Sequence, residues 1–381
     1  MTQTAPTAGT DAPARTSALF SGRNKFKLAP FCINYQRGGA PTLAEDGSML
    51  TLEWDEQVRI AQLADEAGLE ALIAAARWRG YAGDARWAQE TYEGLPWAAG
   101  LAAVTQQIVL FATVHTPLYH PVQVAKLSST IDHISRGRFA MNIVSGWNVK
   151  EFDMFDHTQR EHDDRYAYST EWTEFLKRLW TETEEFDLDG TYFRARGATS
   201  LPKPVQNPRP PIMSAGSSDA GRQFAATHAD LAFVTGRNID ELTSAAADVR
   251  SRAEALGRNI QVWASGLMVC GETEADAKQQ FDHFVTEHGD AKAAEDAIRL
   301  QVAGKGESVK WEITPAMIKE RMVGSLGNRL IGSPDQIVEG MQRLSDAGID
   351  GMACTWFNYD IGIQAFRDLV QPLAVDAGLR A

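Results

Sequence analysis

From Lys25 onward, short apolar runs alternate with stretches in which apolar residues recur every three or four positions, so the pattern predicts strands and helices in regular turn. Lys27–Ile33 and Leu69–Ala75 read as strands. Between them, Trp54–Ala67 puts Val58, Ile60, Leu63 and Ala64 on one helical stripe and stops at Gly68. After an irregular stretch, Ala76–Glu93, a helix is expected over Leu95–Thr105 and a strand over Ile108–Thr113. Val122–Ile134 reads as a helix closed by Ser135-Arg136-Gly137, Phe139–Val144 as a strand, and Arg165–Trp180 as a helix carrying Trp172, Phe175, Leu176 and Leu179 on one side.

The rhythm continues with strands at Pro211–Ser214, Leu231–Val234, Gln261–Cys270 and Gly351–Trp356. Helices fall at Ser217–His228, Ile239–Leu256, Glu274–Glu287, Pro334–Asp346 and Ile361–Leu373. Short buried strands alternating with helices imply a parallel sheet. About eight such units predict an α/β fold of the TIM (β/α)8 type. A doubly wound sheet is the competing architecture, but no Gly-x-Gly-x-x-Gly follows an early strand. Residues 290–328 interrupt the pattern with mixed charge and Gly304, Gly306 and Gly327. They read as an insertion before the last strand, a mobile loop over the active face. Met1–Asn24, rich in Ala, Thr, Pro and Gly, reads as a flexible tail without the basic start and apolar core of a signal peptide, which favours a cytoplasmic protein. Residues 25–381 then form one domain.

Composition narrows the function. With 37 basic and 50 acidic residues the net charge is −13, which disfavours nucleic-acid binding. No run approaches the roughly 18 apolar residues a membrane helix needs. Cys32, Cys270 and Cys354 are too few and too dispersed for a disulfide scaffold or a metal knuckle. A phosphate loop, a His-Glu-x-x-His helix and a Gly-x-Ser-x-Gly elbow are all missing. Asp187-Leu188-Asp189-Gly190 lacks the later Glu of a calcium loop and reads as a hairpin. No metal is therefore expected.

Three clusters fall at predicted C-terminal strand ends, where a barrel keeps its active site. They are Thr113-Val114-His115; Asn142 to Trp147 with Glu151 nine residues on; and Ser214 to Gly221. The last could cradle an anion through Gly216, Ser217 and Ser218, or could be an ordinary helix cap; the residues alone leave this open.

Taken together with Trp78-Arg79-Gly80-Tyr81-Ala82-Gly83, Ala125–Asn142, Val144-Ser145-Gly146-Trp147 and Asp163-Asp164-Arg165-Tyr166, these clusters give the chain, from Lys25 to Leu373, a specific likeness. It resembles the flavin-dependent monooxygenases of the bacterial luciferase-like superfamily, and within it the pyrimidine monooxygenases, then the dimethylsulfone and dibenzothiophene-sulfone monooxygenases. The resemblance implies a TIM barrel that takes reduced FMN from a separate NAD(P)H-dependent flavin reductase and uses O2 to oxygenate a small molecule through a flavin peroxide. A homodimer or homotetramer is expected with it. By motif correspondence, Ala76, Arg77, Asn142, Glu151, Arg165, Tyr166, Gly216, Ser217 and Ser218 would bind FMN, Arg165 and Tyr166 at its phosphate end. Thr113 and Asn142 would line an oxygen pocket. Trp147 and Trp78 would wall it, and His115 would donate or accept a proton. Where Ala76-Arg77 stands, the pyrimidine enzymes carry an apolar–Lys pair.

The substrate expected on this basis is an N-heterocycle or amide. A sulfone or sulfonate is the alternative within the superfamily, with Arg237 a candidate for a sulfonate group. A flavin-binding protein without oxygenase activity and a deazaflavin-dependent oxidoreductase are further alternatives.

Overall fold

A computed structural model describes residues 19–20, 22–45, 50–304, 312–324 and 327–381. Among the described residues there are eleven strands: β1 (Lys27–Pro30), β2 (Ala71–Ile73), β3 (Val109–His115), β4 (Phe139–Val144), β5 (Phe186–Asp189), β6 (Arg194–Ala198), β7 (Ile212–Ser214), β8 (Leu231–Val234), β9 (Gln261–Cys270), β10 (Asn328–Gly332) and β11 (Gly351–Thr355). Eight of them pair in parallel in the order β1-β11-β9-β8-β7-β4-β3-β2. A bridge between Phe31 and Ile73, with the Cys32 N–H donating to the Ile73 carbonyl, closes β2 onto β1. The architecture is the expected TIM barrel.

The alternation along β3 explains both its core and its chemistry. Val109 and Phe111 belong to the cluster that fills the barrel, with Ala29, Ala140, Met213, Leu231, Trp263 and Ala353. Leu110, Ala112 and Val114 face the outer layer, where they meet helices such as Gly94–Ala102 and Pro121–Ile134. With a side-chain period of two, Thr113 and His115 continue the inward row above the apolar plug. Register pairs Thr113 with Asn142 on β4, so the polar pair lands at the C-terminal mouth.

The structure bears on the sequence reading at three segments. The tail expected over 1–24 falls largely on residues 1–18 and 21, outside the described residues. Its end is anchored, since Leu19 is fully buried in the barrel cluster and its carbonyl accepts from Gln261. Second, β5 and β6 form the hairpin expected at Asp187–Gly190 and stand apart from the barrel. Third, 290–328 is not one loop. It holds helices Ala291–Ala303 and Pro315–Arg321, and its last residue opens β10, which pairs with the extended end of β9. Residues 305–311 and 325–326, including Gly306, lie outside the described residues.

The helix Ala291–Ala303 begins with Asp290 as its cap, accepting from Ala293 N at 3.1 Å and from Ala85 N at 2.7 Å. It buries Ala293, Ala297 and Leu300 against Cys32, Tyr35, Tyr81, Trp87 and Ala88, just beyond the ends of β1 and β2. Asp296 on the same helix accepts from Ala82 N at 2.9 Å and meets Lys150 at 3.2 Å. Small apolar side chains let the helix approach closely, and two carboxylates fix it to the mouth. No helix among the described residues is long and apolar enough to cross a membrane.

Candidate functional site

The mouth of the barrel gathers a set of buried polar side chains. The Thr113 hydroxyl donates to the Ala74 carbonyl at 2.6 Å and accepts from Asn142 Nδ2 at 3.1 Å. Both side chains are buried, and Asn142 Oδ1 has no partner among the described residues. Fixing one end of the amide leaves the other presented to the mouth.

Glu151 comes from a short helix, Val149–Met154, that the sequence pattern did not predict. Its Oε1 accepts from Trp78 N at 3.0 Å and Arg79 N at 3.3 Å, so one carboxylate holds the turn after β2. Arg77 Nη1 lies 3.7 Å from that oxygen, and His115 Nδ1 lies 3.7 Å from Oε2. Glu151 Oε2, Arg77 Nε and Arg77 Nη1 all lack hydrogen-bond partners among the described residues. Asn148, 1 % exposed, has neither amide atom satisfied. Buried polar atoms without partners are costly, so such a concentration marks a place built to receive a polar ligand.

Electrostatics assign states to these groups. Burial pushes the His115 imidazole down to about 4; Glu151 opposes this and Arg77 adds to it, so the ring is neutral near pH 7. Burial pushes the Cys32 thiol up to about 12, which leaves it inert beside the site. Burial works against the Arg77 guanidinium, but its neighbours outweigh it and hold the group above the ordinary arginine value, with Glu151 the carboxylate among them, so Arg77 is charged.

Arg77 also lies between two rings, 4.9 Å from the Tyr81 centroid and 4.9 Å from that of Trp147. Tyr81 stacks on Trp87 at 4.5 Å. Trp87 is held inward by its indole N–H donating to the Gly38 carbonyl at 2.9 Å, between Arg86 and Ala88 at φ 52° and 54°. Two neighbouring left-handed, non-glycine residues store backbone strain, as loops shaped for a ligand often do. Trp78 is 38 % exposed, and its ring packs edge-on against Phe155 at 5.0 Å. It serves the site through its backbone N–H more than as a wall.

At the other end of the mouth, Gly216 and Gly221 touch so closely that a Cβ on Gly216 would meet Gly221 Cα at 2.6 Å and Tyr166 Oη at 2.7 Å. Ser218 caps the helix Asp219–His228, accepting from Gly221 N at 3.1 Å, while Ser217 is exposed. Of the Arg165–Tyr166 pair, only Tyr166 points to this turn. Consecutive helix positions diverge by about 100°. Arg165 instead donates to the carbonyls of Gly146 at 3.0 Å and Gly304 at 3.1 Å, tying the β4 loop to the end of the covering helix. Ala76 sits beside Arg77, half-buried.

Arg237 does not reach the mouth: its side chain is 89 % exposed and paired with Glu241. The described residues include one grouping with metal-ligand character, His283, Glu287 and His288 with ligand atoms within 4.8 Å of one another; none of the three belongs to the mouth set.

The model of the luciferase-like monooxygenases matches residues 31–351. The chain belongs to the luciferase-like monooxygenase family. A pyrimidine monooxygenase of Klebsiella pneumoniae is 30 % identical over 323 residues, 82 % of this chain and 87 % of that one. An FMNH2-dependent dimethylsulfone monooxygenase of Pseudomonas putida is 28 % identical over 332 residues, 84 % of this chain and 87 % of that one. Among solved structures, a riboflavin lyase with modified FMN superposes at TM-score 0.83 with 22 % identity, covering 94 % of this chain and 93 % of that one. A long-chain alkane monooxygenase gives 0.80 with 23 % identity, covering 94 % and 92 %. The strand order of this luciferase-like monooxygenase is that of the expected barrel, and its strand-end motifs lie within the matched region.

Proposed function

We propose that this luciferase-like monooxygenase takes reduced FMN from a separate NAD(P)H-dependent flavin reductase and uses O2 to oxygenate a small N-heterocycle or amide. The observation that carries the reading is the set of unpartnered buried atoms on Arg77, Asn142, Asn148 and Glu151 at the barrel mouth, in a family whose relatives include FMNH2-dependent oxygenases. The donor set fits a flavin, whose ring edge offers alternating acceptors and donors and whose phosphate is an anion. Reduced FMN, when bound, supplies the two electrons with which one atom of O2 enters the substrate and the other leaves as water.

Each residue of the chain has its own task. Ala76, Arg77, Asn142 and Glu151 hold the ring end. Tyr166, Gly216, Ser217 and Ser218 hold the phosphate end, where close backbone approach and helix amides suit an anion. Arg165 keeps the loop after β4 closed on the covering helix. Thr113 orients Asn142 toward the oxygen-binding side, and Trp147 with Arg77 shields it from water. Neutral His115 offers a hydrogen bond and no charge. Residues 25–381 act as one barrel domain, with 290–328 over its active face.

The test supplies the protein with FMN, a flavin reductase, NADH and ¹⁸O2, and screens uracil-like heterocycles and simple amides against dimethylsulfone by mass spectrometry. Single ¹⁸O incorporation into a heterocycle or amide is expected. Intact FMN binding with no oxygenation of either class defeats the reading, and oxygenation of the sulfone alone replaces its substrate.

A further inference from the structure

Arg321, the last residue of the helix Pro315–Arg321, is a buried cation that the motifs do not point to. It is 7 % exposed, its Nε has no partner, and no carboxylate lies within ion-pair distance of it among the described residues. Its guanidinium carbon lies 4.9 Å from the Trp87 ring centre and 6.0 Å from that of Tyr81. Arg77 lies 4.9 Å from the same Tyr81 ring. The two guanidinium groups therefore share one stacked aromatic pair at the mouth.

Their charges are not equally met. Arg77 faces Glu151, whereas Arg321 faces two rings and a neutral thiol, Cys32, with no carboxylate paired to it among the described residues. The carboxylates at the covering helix are engaged elsewhere: Asp290 on the Ala85 and Ala293 amides, Asp296 on the Ala82 amide and Lys150, Glu295 on Arg299. An aromatic face returns only part of what a cation loses when it is taken out of water. That imbalance is what an absent anion would correct. A guanidinium fork binds a trigonal or tetrahedral oxyanion through two parallel N–H bonds, and flat aromatic walls accept the ring that carries it.

We infer that the substrate of this site carries an oxyanion substituent, a carboxylate or a sulfonate, held by Arg321 beside the stacked Trp87–Tyr81 pair. Calling the ligand a substrate rests on the proposed monooxygenase function; the anion site itself does not. Arg321 is a specificity residue, separate from the groups assigned to FMN.

The experiment measures calorimetric affinities of benzoate, benzenesulfonate and neutral benzamide for the FMN-saturated protein and for Arg321→Met and Arg321→Lys. The wild type is expected to bind one or both anions at least tenfold more tightly than benzamide, and which anion prevails separates carboxylate from sulfonate. Arg321→Met should lose that preference, with benzamide and FMN affinities within twofold of wild type. Arg321→Lys should fall between, since it keeps the charge without the fork. Wild-type protein that does not prefer the anions overturns the proposal. So does a Met variant that keeps the preference while folding normally, and so does one that loses FMN instead, which would assign the charge to the cofactor. Failure of oxygenation with the anion preference intact would count against the monooxygenase reading alone.

Discussion

Arg77, its side chain 10 % exposed, and the buried Glu151 lie 3.7 Å apart, guanidinium nitrogen to carboxylate oxygen, while that same oxygen accepts two backbone N–H groups from Trp78 and Arg79. One carboxylate thus both neutralises the site's cation and sets the shape of the turn that carries it. Glu151→Gln separates these tasks. The amide oxygen can still accept from the backbone, but Arg77 is left as a second uncompensated cation. Breaking one side of a buried pair costs about 3–5 kcal/mol in full. The 3.7 Å separation places this pair near or below the lower figure. Urea denaturation should show a loss of about 2–3 kcal/mol, together with weakened FMN binding. Unchanged stability would mean that Arg77 is neutralised by another group.

His115 should write its burial into the pH dependence of stability. Its folded value of about 4 lies below the unfolded 6.5, so the unfolded chain binds the extra proton first as pH falls. Stability is therefore fully present above about pH 6.5 and declines toward pH 4, by about 3 kcal/mol from this group. His228, pushed down to about 3 by burial and by Lys177, Arg258 and Arg209, adds to the same decline. His115→Gln should remove its own share, seen as a shallower fall in melting temperature between pH 7 and 5. The same neutrality means that His115→Gln should leave the pH profile of turnover near neutrality unchanged in shape. A limb that disappears from that profile would show His115 to be a working acid or base.

The Thr113–Asn142 contact predicts the oxygenase's efficiency more than its fold. Asn142→Ala should retain FMN yet release most of the consumed oxygen as hydrogen peroxide. Thr113→Val leaves both the Ala74 carbonyl and Asn142 Nδ2 unmet in a buried place, which costs about 1–3 kcal/mol. It should also uncouple, through the freed amide. Peroxide yield per NADH, measured beside product formation, checks both. Unchanged coupling in Asn142→Ala would remove that residue from the oxygen-binding side.

The covering helix gives a prediction about access. Asp290→Ala removes the cap of Ala291–Ala303 and the anchor for Ala85 N, a loss of about 1–2 kcal/mol confined to this region. Hydrogen exchange should rise over 291–303 and 82–88 while the barrel strands stay protected. KM should increase more than kcat falls. Uniform exchange across the chain would mean that the helix has no separate opening.

What could be read from the sequence divides along physical lines. The strands of the barrel carry largely apolar runs, and Thr113 and Asn142 stand out as the polar residues toward the C-terminal ends of theirs, the end at which a barrel keeps its site. Glu151 is legible only through the family resemblance, because its helix, six residues long, is too short to show a period. The helix Ala291–Ala303 does repeat Ala293, Ala297 and Leu300 at helical spacing, but small residues give a weak contrast, and the glycines nearby read as loop. β10, Asn328–Gly332, is hidden by an arginine and its bounding glycines. Arg321 could not be found from the sequence. Its meaning depends on Tyr81 and Trp87, some 240 positions away, and nothing local separates it from the other charged residues of its helix. The split of Arg165 from Tyr166 was also invisible, because adjacent letters carry no sign that their side chains diverge.

The turn at Gly216 offers the sharpest separation of shape from contact. A Cβ there would lie 2.6 Å from Gly221 Cα and 2.7 Å from Tyr166 Oη, and the first of these is backbone that cannot swing aside. Gly216→Ala must therefore open the turn and displace Tyr166 together, at about 1–3 kcal/mol of stability. FMN affinity should fall steeply, because both displaced elements belong to the proposed phosphate end. Ser218→Ala removes only the cap to Gly221 N, for about 1 kcal/mol, and should weaken FMN less. Ser217→Ala changes an exposed side chain and should leave stability unaltered, so any affinity it loses reports direct contact. Melting temperature and FMN titration measured across the three variants should rank them Gly216, Ser218, Ser217 in stability loss. If Gly216→Ala bound FMN as tightly as the wild type, the phosphate end would have to lie elsewhere on the barrel mouth.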